Sequence, residues 1–271
     1  MNRLHFLSTF GSFAKRVMVL AVVILMGTAS YALDFAIENA DGVTIYYAWV
    51  QYEKDLAVTY CSDKTQKYSG TVIIPETANR GAWQYSVTSI GQEAFSHCRD
   101  LNSIVIPNSV KNIYSQAFYD CSHLESITIP NSVTNIGESA FGACGFTSVT
   151  IPNSVTNIGT GAFQWCIYLT SVTIPNSVKS MGEGIFYGCS GLTTIVSEIE
   201  NPFAVADNLF YCDNINIYDT ATLIVPVGKV SVYQSKAGWK KFKKIYEVVQ
   251  IGEEFAGTTL WTWQASQTLV S

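Results

Sequence analysis

The sequence predicts a repeat solenoid, mainly β, whose short strands are joined by short helical or 3-10 turns. Three observations predict it. One pattern is written five times between Ser86 and Ser197, and its Ile-Pro pairs at 106–107, 129–130, 151–152 and 174–175 are spaced 23, 22 and 23 residues apart. Six of the seven cysteines, Cys98, Cys121, Cys144, Cys166, Cys189 and Cys212, keep the same period. Each period holds an alternating apolar stretch, such as Ser126-Ile127-Thr128-Ile129-Pro130, of the kind that makes a half-buried strand. A unit this small cannot bury its own apolar face and buries it against its neighbours.

Residues 1–32 read as a signal peptide. Arg3, Lys15 and Arg16 give a positive start, Val17–Met26 an apolar core, and the small residues that follow a cleavage site after Ala32. The ten apolar residues fall short of the roughly 20 that cross a bilayer. No stable membrane span is therefore expected after cleavage, and the chain is expected to be exported, either secreted or at the cell surface. Cleavage removes three basic residues and no acidic one, which takes the formal charge from −5 to −8.

Residues 33–85 form an expected N-terminal β-strand cap. Val43/Ile45/Tyr47, Leu56/Val58/Tyr60 and Val72/Ile74 alternate between polar turn clusters. Three or four short antiparallel strands follow from that pattern. Their expected role is to cover the open end of the first coil. Ile74-Pro75 reads as a zeroth Ile-Pro strand, and Glu76–Tyr85 as an insertion before the regular period.

Residues 86–197 hold the five repeats. The strand ends at proline, which lacks a backbone donor, and Asn-Ser makes the turn. A second apolar pair follows (Val110/Ile113, Val133/Ile136, Val155/Ile158, Val178/Met181). Gly91, Gly137, Gly159 and Gly182 come next, where a positive-φ corner is expected; Tyr114 breaks that series. A short helical piece then ends in Phe95, Phe118, Phe141, Phe163 or Phe186, expected to stack as a column inside the solenoid. The cysteine three residues on is read as a buried free thiol, although coil spacing does not exclude bridges.

Residues 198–249 form a degenerate last repeat and a C-terminal helical cap. Leu209 is placed at the phenylalanine position, Cys212 in register, and Val225-Pro226 as the last Ile-Pro strand. Val232, Tyr233, Trp239, Phe242 and Ile245 fall at near-helical spacing opposite Lys236, Lys240, Lys241, Lys243 and Lys244, which reads as an amphipathic closing helix. Residues 250–271 form a tail whose structure the sequence leaves open.

The repeats carry only three basic and six acidic residues. A nucleic-acid partner is not expected, because that binding needs clustered Lys and Arg. No nucleophile elbow, phosphate loop, zinc spacing or carboxylate pair occurs, so no enzyme activity, metal or cofactor is expected. His97 and His123, beside repeated structural cysteines, do not make a nucleophilic pair. Two surfaces remain as candidate ligand sites. The sheet face carries Ser126, Thr128, Ser148, Thr150, Ser171 and Thr173; it is either a plain β face or a flat binding face. The loop ridge carries His97, Tyr119, Trp165, Tyr168 and Tyr187; its aromatics either pack on the next loop or meet a ligand. The lysines at 236–244 are either the polar side of the closing helix or a polyanion site.

The pattern Ala-Phe-x-x-Cys-x-x-Leu-x-Ser-Ile-x-Ile-Pro-Asn-Ser-Val-x-x-Ile-Gly at a 23-residue period resembles the BspA-like leucine-rich repeat family of bacterial surface and secreted proteins. The resemblance spans residues 33–249, entering at YSVTSIGQEAF and leaving at LIVPVGKVSVYQSKAGWKKFKKI. It implies a right-handed leucine-rich-repeat-type superhelix. It also implies a non-catalytic, adhesive protein with an extracellular protein or glycan ligand: host matrix, mucin or another cell. The sequence leaves the oligomeric state open, with a monomer expected. The alternative is a structural or self-associating component of the cell envelope.

Overall fold

Each period closes one coil, and three faces of that coil bond to the next. The computed structural model describes residues 35–50, 55–60, 67–255 and 258–266; the signal segment at 1–32 and Cys61 lie outside the described residues. The strands are β1 (Phe35–Glu38), β2 (Thr44–Trp49), β3 (Leu56–Thr59), β4 (Gly70–Ile73), β5 (Thr77–Arg80), β6 (Trp83–Ile90), β7 (Leu101–Val105), β8 (Asn112–Ile113), β9 (Asn135–Ile136), β10 (Ser148–Thr150), β11 (Asn157–Ile158), β12 (Ser171–Ile174), β13 (Ser180–Met181) and β14 (Thr194–Ser197). A single helical turn α1 (Ile217–Thr220), β15 (Thr222–Val225), helix α2 (Val230–Gln234), β16 (Ile245–Phe255) and β17 (Thr258–Ser266) complete the order.

The first face is built from the Ile-Pro strands. β4 pairs in parallel with β7, so Ile74-Pro75 does follow a zeroth strand. β10, β12, β14 and β15 form a second parallel ladder in which Ser148, Ser171, Thr194 and Thr222 share one register line. The expected single sheet is split, because Glu125–Ile129 of the second coil joins no ladder. The break lies beside the 22-residue coil. There Phe146 is buried against Phe141 and Phe163, with ring centroids 6.4 Å away in each case. Phe146 fills the place that leucine takes in the other coils (Leu101, Leu124, Leu169, Leu192).

The second face is the short-strand ladder β6-β8-β9-β11-β13. Its inward residues, Ile90, Ile113, Ile136 and Ile158, are buried. Outside them runs an amide ladder: Asn135 Nδ2 donates to Asn112 Oδ1 at 2.8 Å, Asn157 Nδ2 to Asn135 Oδ1 at 3.0 Å, and Ser180 Oγ to Asn157 Oδ1 at 2.9 Å. The glycines that follow this face do not supply positive φ, contrary to expectation. They allow close approach between coils: a Cβ on Gly137 would lie 2.6 Å from Ser115 N, and one on Gly159 2.6 Å from Glu138 N.

The third face corrects the expected helical pieces. It is a run of tight turns rather than helix. Alternate amides cross to the next coil, as in Phe95 N to Ala117 O (2.7 Å), Phe118 N to Ala140 O (2.7 Å) and Phe141 N to Ala162 O (2.8 Å). The amides between them close local turns, such as Cys98 N to Phe95 O at 3.1 Å. This alternation requires positive φ twice per coil. One column is Glu93, Gln116, Ser139, Gly161 and Gly184; the other is His97, Asp120, Ala143, Trp165 and Gly188, all with φ between 51° and 74°.

The core lies between the three faces. Phe95, Phe118, Phe141, Phe163 and Phe186 stack at centroid separations of 5.1, 5.3, 5.3 and 5.6 Å with nearly parallel rings. Such pairs add roughly 0.5–1.5 kcal/mol each beyond the area they bury. The column continues at Phe210, 5.3 Å from Phe186, and not at Leu209. The last coil is therefore one residue out of the expected register. Leu209 takes the place of Ile185, each accepting a phenylalanine amide from the coil before. Cys212 is consequently not buried like the other ladder cysteines.

Cys98, Cys121, Cys144, Cys166 and Cys189 are free thiols in the core. Cys121, Cys144, Cys166 and Cys189 each donate to the phenylalanine carbonyl of the preceding coil at 3.1 Å. Burial pushes the Cys98 thiol up to about 12 and the Cys144 and Cys189 thiols well above their ordinary range.

At the ends of the repeats, β1, β2 and β3 are antiparallel, and β3 joins β6 in parallel. Asn39 Oδ1 accepts the amides of Asp41 and Val43 at 3.0 and 2.9 Å and shapes the β1–β2 turn. The insertion is a hairpin, β5 with β6. The closing helix is shorter than expected. α2 has five residues and stops before Gly238, which has φ 77°; a Cβ there would meet Val205 O at 2.6 Å. A 3-10 turn at Trp239–Lys241 follows. Tyr233, Trp239, Phe242 and Ile245 are buried all the same. The tail pairs as an antiparallel hairpin, β16 with β17, and β16 extends the ladder from β15.

Candidate functional site

The sheet face contributes less than its letters suggest. Ser126 and Thr128 sit in the segment outside the ladder, while Ser148 and Thr150 are exposed and Ser171 and Thr173 half-buried. The threonines just before the strands hold coils together: Thr170 Oγ1 donates to Thr147 O, and Thr193 Oγ1 to Thr170 O, both at 3.1 Å.

The loop ridge is built by the second positive-φ column and its neighbours, and it divides into two chemically distinct parts. In the first two coils it is charged. His97 Nδ1 lies 2.8 Å from Asp120 Oδ2, and Arg99 Nη2 2.6 Å from the same oxygen. Partial burial raises the Asp120 carboxyl, but the hydrogen bonds from Arg99 and His97 outweigh it and hold the group below its usual range. Tyr119 is half-buried, edge-on to His97 at 5.6 Å, and covers Gly142. The third coil is small and plain here, with Gly142, Ala143 and Gly145.

From the fourth coil onward the ridge is aromatic and apolar. Trp165, Ile167, Tyr168 and Tyr211 are exposed by 44%, 46%, 58% and 46%. The Trp165 ring lies over Gly188, where no side chain could fit, and edge-on to Tyr187 at 5.3 Å. Tyr187 stacks on Tyr211 at 5.6 Å. Trp165 holds φ 61°, a conformation unfavourable for a bulky residue. Its N–H bonds Tyr187 O at 2.6 Å, which keeps it there. Gly188 takes the same conformation one coil later, so the ring is carried where glycine would fold more easily.

This half runs into a cleft of about 570 Å³ lined by Tyr211, Asp213, Asn214, Ile215, Asn216 and Lys241, among others. Tyr187 Oη reaches Asp213 at 3.3 Å. Sequence reasoning placed Trp165, Tyr168 and Tyr187 but missed Tyr211 and Asp213, because the last coil is shifted by one residue. The lysine cluster is largely occupied. Lys241 Nζ pairs with Asp207 at 3.3 Å and lies 5.4 Å from the Tyr218 ring. Lys243 pairs with Asp219 at 2.9 Å, and Lys244 donates to Thr220 O at 3.0 Å.

Three bonded faces per coil, an Ile-Pro strand and an internal phenylalanine column define a leucine-rich-repeat-type solenoid. A model of the BspA type leucine rich repeat region matches in six copies, over residues 82–145 and 134–253. The chain belongs to this family. Solved structures of similar fold include a leucine-rich repeat protein from Bacteroides ovatus, with 26% identity over 67% of this chain and 53% of that one and a TM-score of 0.46. The leucine-rich repeat protein TpLRR of T. pallidum has 23% identity over 66% of this chain and 83% of that one, TM-score 0.48. The pneumococcal vaccine antigen PcpA has 19% identity over 69% and 55%, TM-score 0.46. The chain thus spans about half the length of the first and last of these. No curated protein matches it significantly. Among the described residues no helix is long and apolar enough to cross a membrane.

Proposed function

We propose that this is an exported, non-catalytic binding protein that recognises an extracellular protein or glycan through the loop ridge. The exposed aromatics Trp165, Tyr168 and Tyr211 carry the reading, Trp165 and Tyr211 being linked through Tyr187. A low-charge surface of Ser, Thr and Asn has no folding reason to leave such rings in water, and contiguous exposed apolar side chains mark interaction sites. The N-terminal strands and the α2 region act as end covers of the apolar core of the solenoid. A screen of residues 33–271 against matrix proteins, mucins and glycans is expected to return a saturable ligand. Self-association of an envelope component is favoured by a different observation: β17 is the outermost strand of its sheet, and among the described residues nothing pairs with its outer edge. Sedimentation separates the two. Concentration-dependent assembly without a ligand supports self-association; a monomer that binds in the screen supports the first reading.

A further inference from the structure

We propose that the aromatic half of the ridge and the adjoining cleft form a binding site for an uncharged oligosaccharide. This rests on the reading of the chain as a binding protein and names its ligand class. Pyranose rings present C–H faces that pack on aromatic rings and hydroxyls that donate to carboxylates and amides, as aromatics with one apolar side and one polar tip commonly do at interfaces. Both components are adjacent here. Trp165 and Tyr168 on the fourth coil and Tyr211 on the sixth offer exposed surface, and Tyr187 on the coil between meets both Trp165 and Tyr211. Asp213, Asn214 and Asn216 line the cleft that begins at Tyr211. The Tyr187–Asp213 contact at 3.3 Å ties the two parts together, and the Tyr187–Tyr211 stack spaces them by 5.6 Å.

Charge decides which sugars fit. The cleft lining includes Asp207, Asp213 and Asp219; Asp207 is paired with the one lysine of the lining, Lys241, and Asp219 with Lys243 outside it, so Asp213 is the carboxylate with no lysine against it among the described residues. A uronate, sialylated or sulfated chain would meet carboxylates with no unpaired cation in the lining. A neutral chain meets acceptors for its hydroxyls. The open, elongated ridge suits an oligosaccharide that crosses several coils rather than a single sugar.

The test is affinity electrophoresis of residues 33–271 in gels containing laminarin, mannan, dextran or galactomannan, with heparin and hyaluronan as anionic counterparts. At least one neutral polysaccharide is expected to retard the chain. Tyr168→Ala and Tyr211→Ala are each expected to weaken that retardation at least tenfold, and Asp213→Asn several-fold, with unchanged unfolding midpoints. Trp83→Ala, an exposed ring (72%) outside the ridge and cleft, is expected to change nothing. No retardation by any neutral polysaccharide, retardation that survives both tyrosine changes, or stronger retardation by heparin or hyaluronan each overturns the proposal. In the first case, saturable binding of fibronectin or fibrinogen leaves the binding-protein reading standing, whereas no binding to either class removes both.

Discussion

Ser109 and Ser132 occupy the same place in consecutive coils, yet they are not equivalent. Ser132 Oγ donates to Val110 O at 2.6 Å, as Ser154 and Ser177 do to the coils before them. Ser109 Oγ is buried without a partner among the described residues, because a hairpin and not a regular coil precedes it. Ser132→Ala should cost about 1 kcal/mol, whereas Ser109→Ala should be neutral or stabilising by a similar amount, since it removes an unsatisfied hydroxyl. Denaturant midpoints of the two variants check this. Asp120 makes the second prediction at this scale. Its carboxyl titrates lower in the folded chain, so its contribution to stability is present above the ordinary value of 3.8 and is lost as pH falls through the lower, folded value. Midpoints measured below pH 3.8 should fall less steeply in Asp120→Asn than in the parent chain. Much at this scale was legible. The buried phenylalanines, isoleucines and cysteines follow from period and residue type. The left-handed positions did not, because Glu, Gln, Ser, His, Asp, Ala and Trp occupy most of them and none of these announces a positive φ as glycine does.

The glycine letter after the short strands has two uses, a positive-φ corner and close backbone approach, and only the second applies here. A third prediction follows at the scale of the coil. Gly159→Ala places a methyl 2.6 Å from backbone at Glu138 and must push two hydrogen-bonded coils apart, so it should cost about 2 kcal/mol or more. Gly184→Ala meets nothing nearer than Tyr187 Cβ at 3.4 Å and holds φ 56°, so it should cost only the left-handed penalty of about 1 kcal/mol. Equal losses in denaturation would contradict this account. The closing helix failed for a related reason. Buried residues at 233, 239, 242 and 245 mimic helical spacing, but they come from a short helix, a 3-10 turn, the residue that ends that turn and a strand; the helix and the turn meet at Gly238, where a backbone approach from Val205 forbids a side chain. Register failed at Phe210 because one inserted residue leaves Leu209 and Cys212 at the expected spacing while the ring column follows stacking geometry.

Across the whole molecule, the repeated letters build the scaffold and the differing letters build the candidate site. The strand, short-strand and turn faces use nearly every repeated residue for contacts between coils. What remains on the surface is Ser, Thr and Asn, with a charged group at one end of the ridge and aromatic rings at the other. The aromatic half lies at the coils nearest the irregular last turn, and the cleft is made by the shifted last coil and the segment that follows it, whose letters depart from the repeat. That is why the period revealed the solenoid and half of the ridge but not the cleft. The most direct measurement is hydrogen exchange of residues 33–271, alone and saturated with the ligand returned by the binding screen. Binding at the ridge and cleft slows exchange at 164–169 and 211–217 and leaves 148–150 and 171–174 unchanged. Protection confined to the sheet strands, with the ridge unaffected, would contradict it.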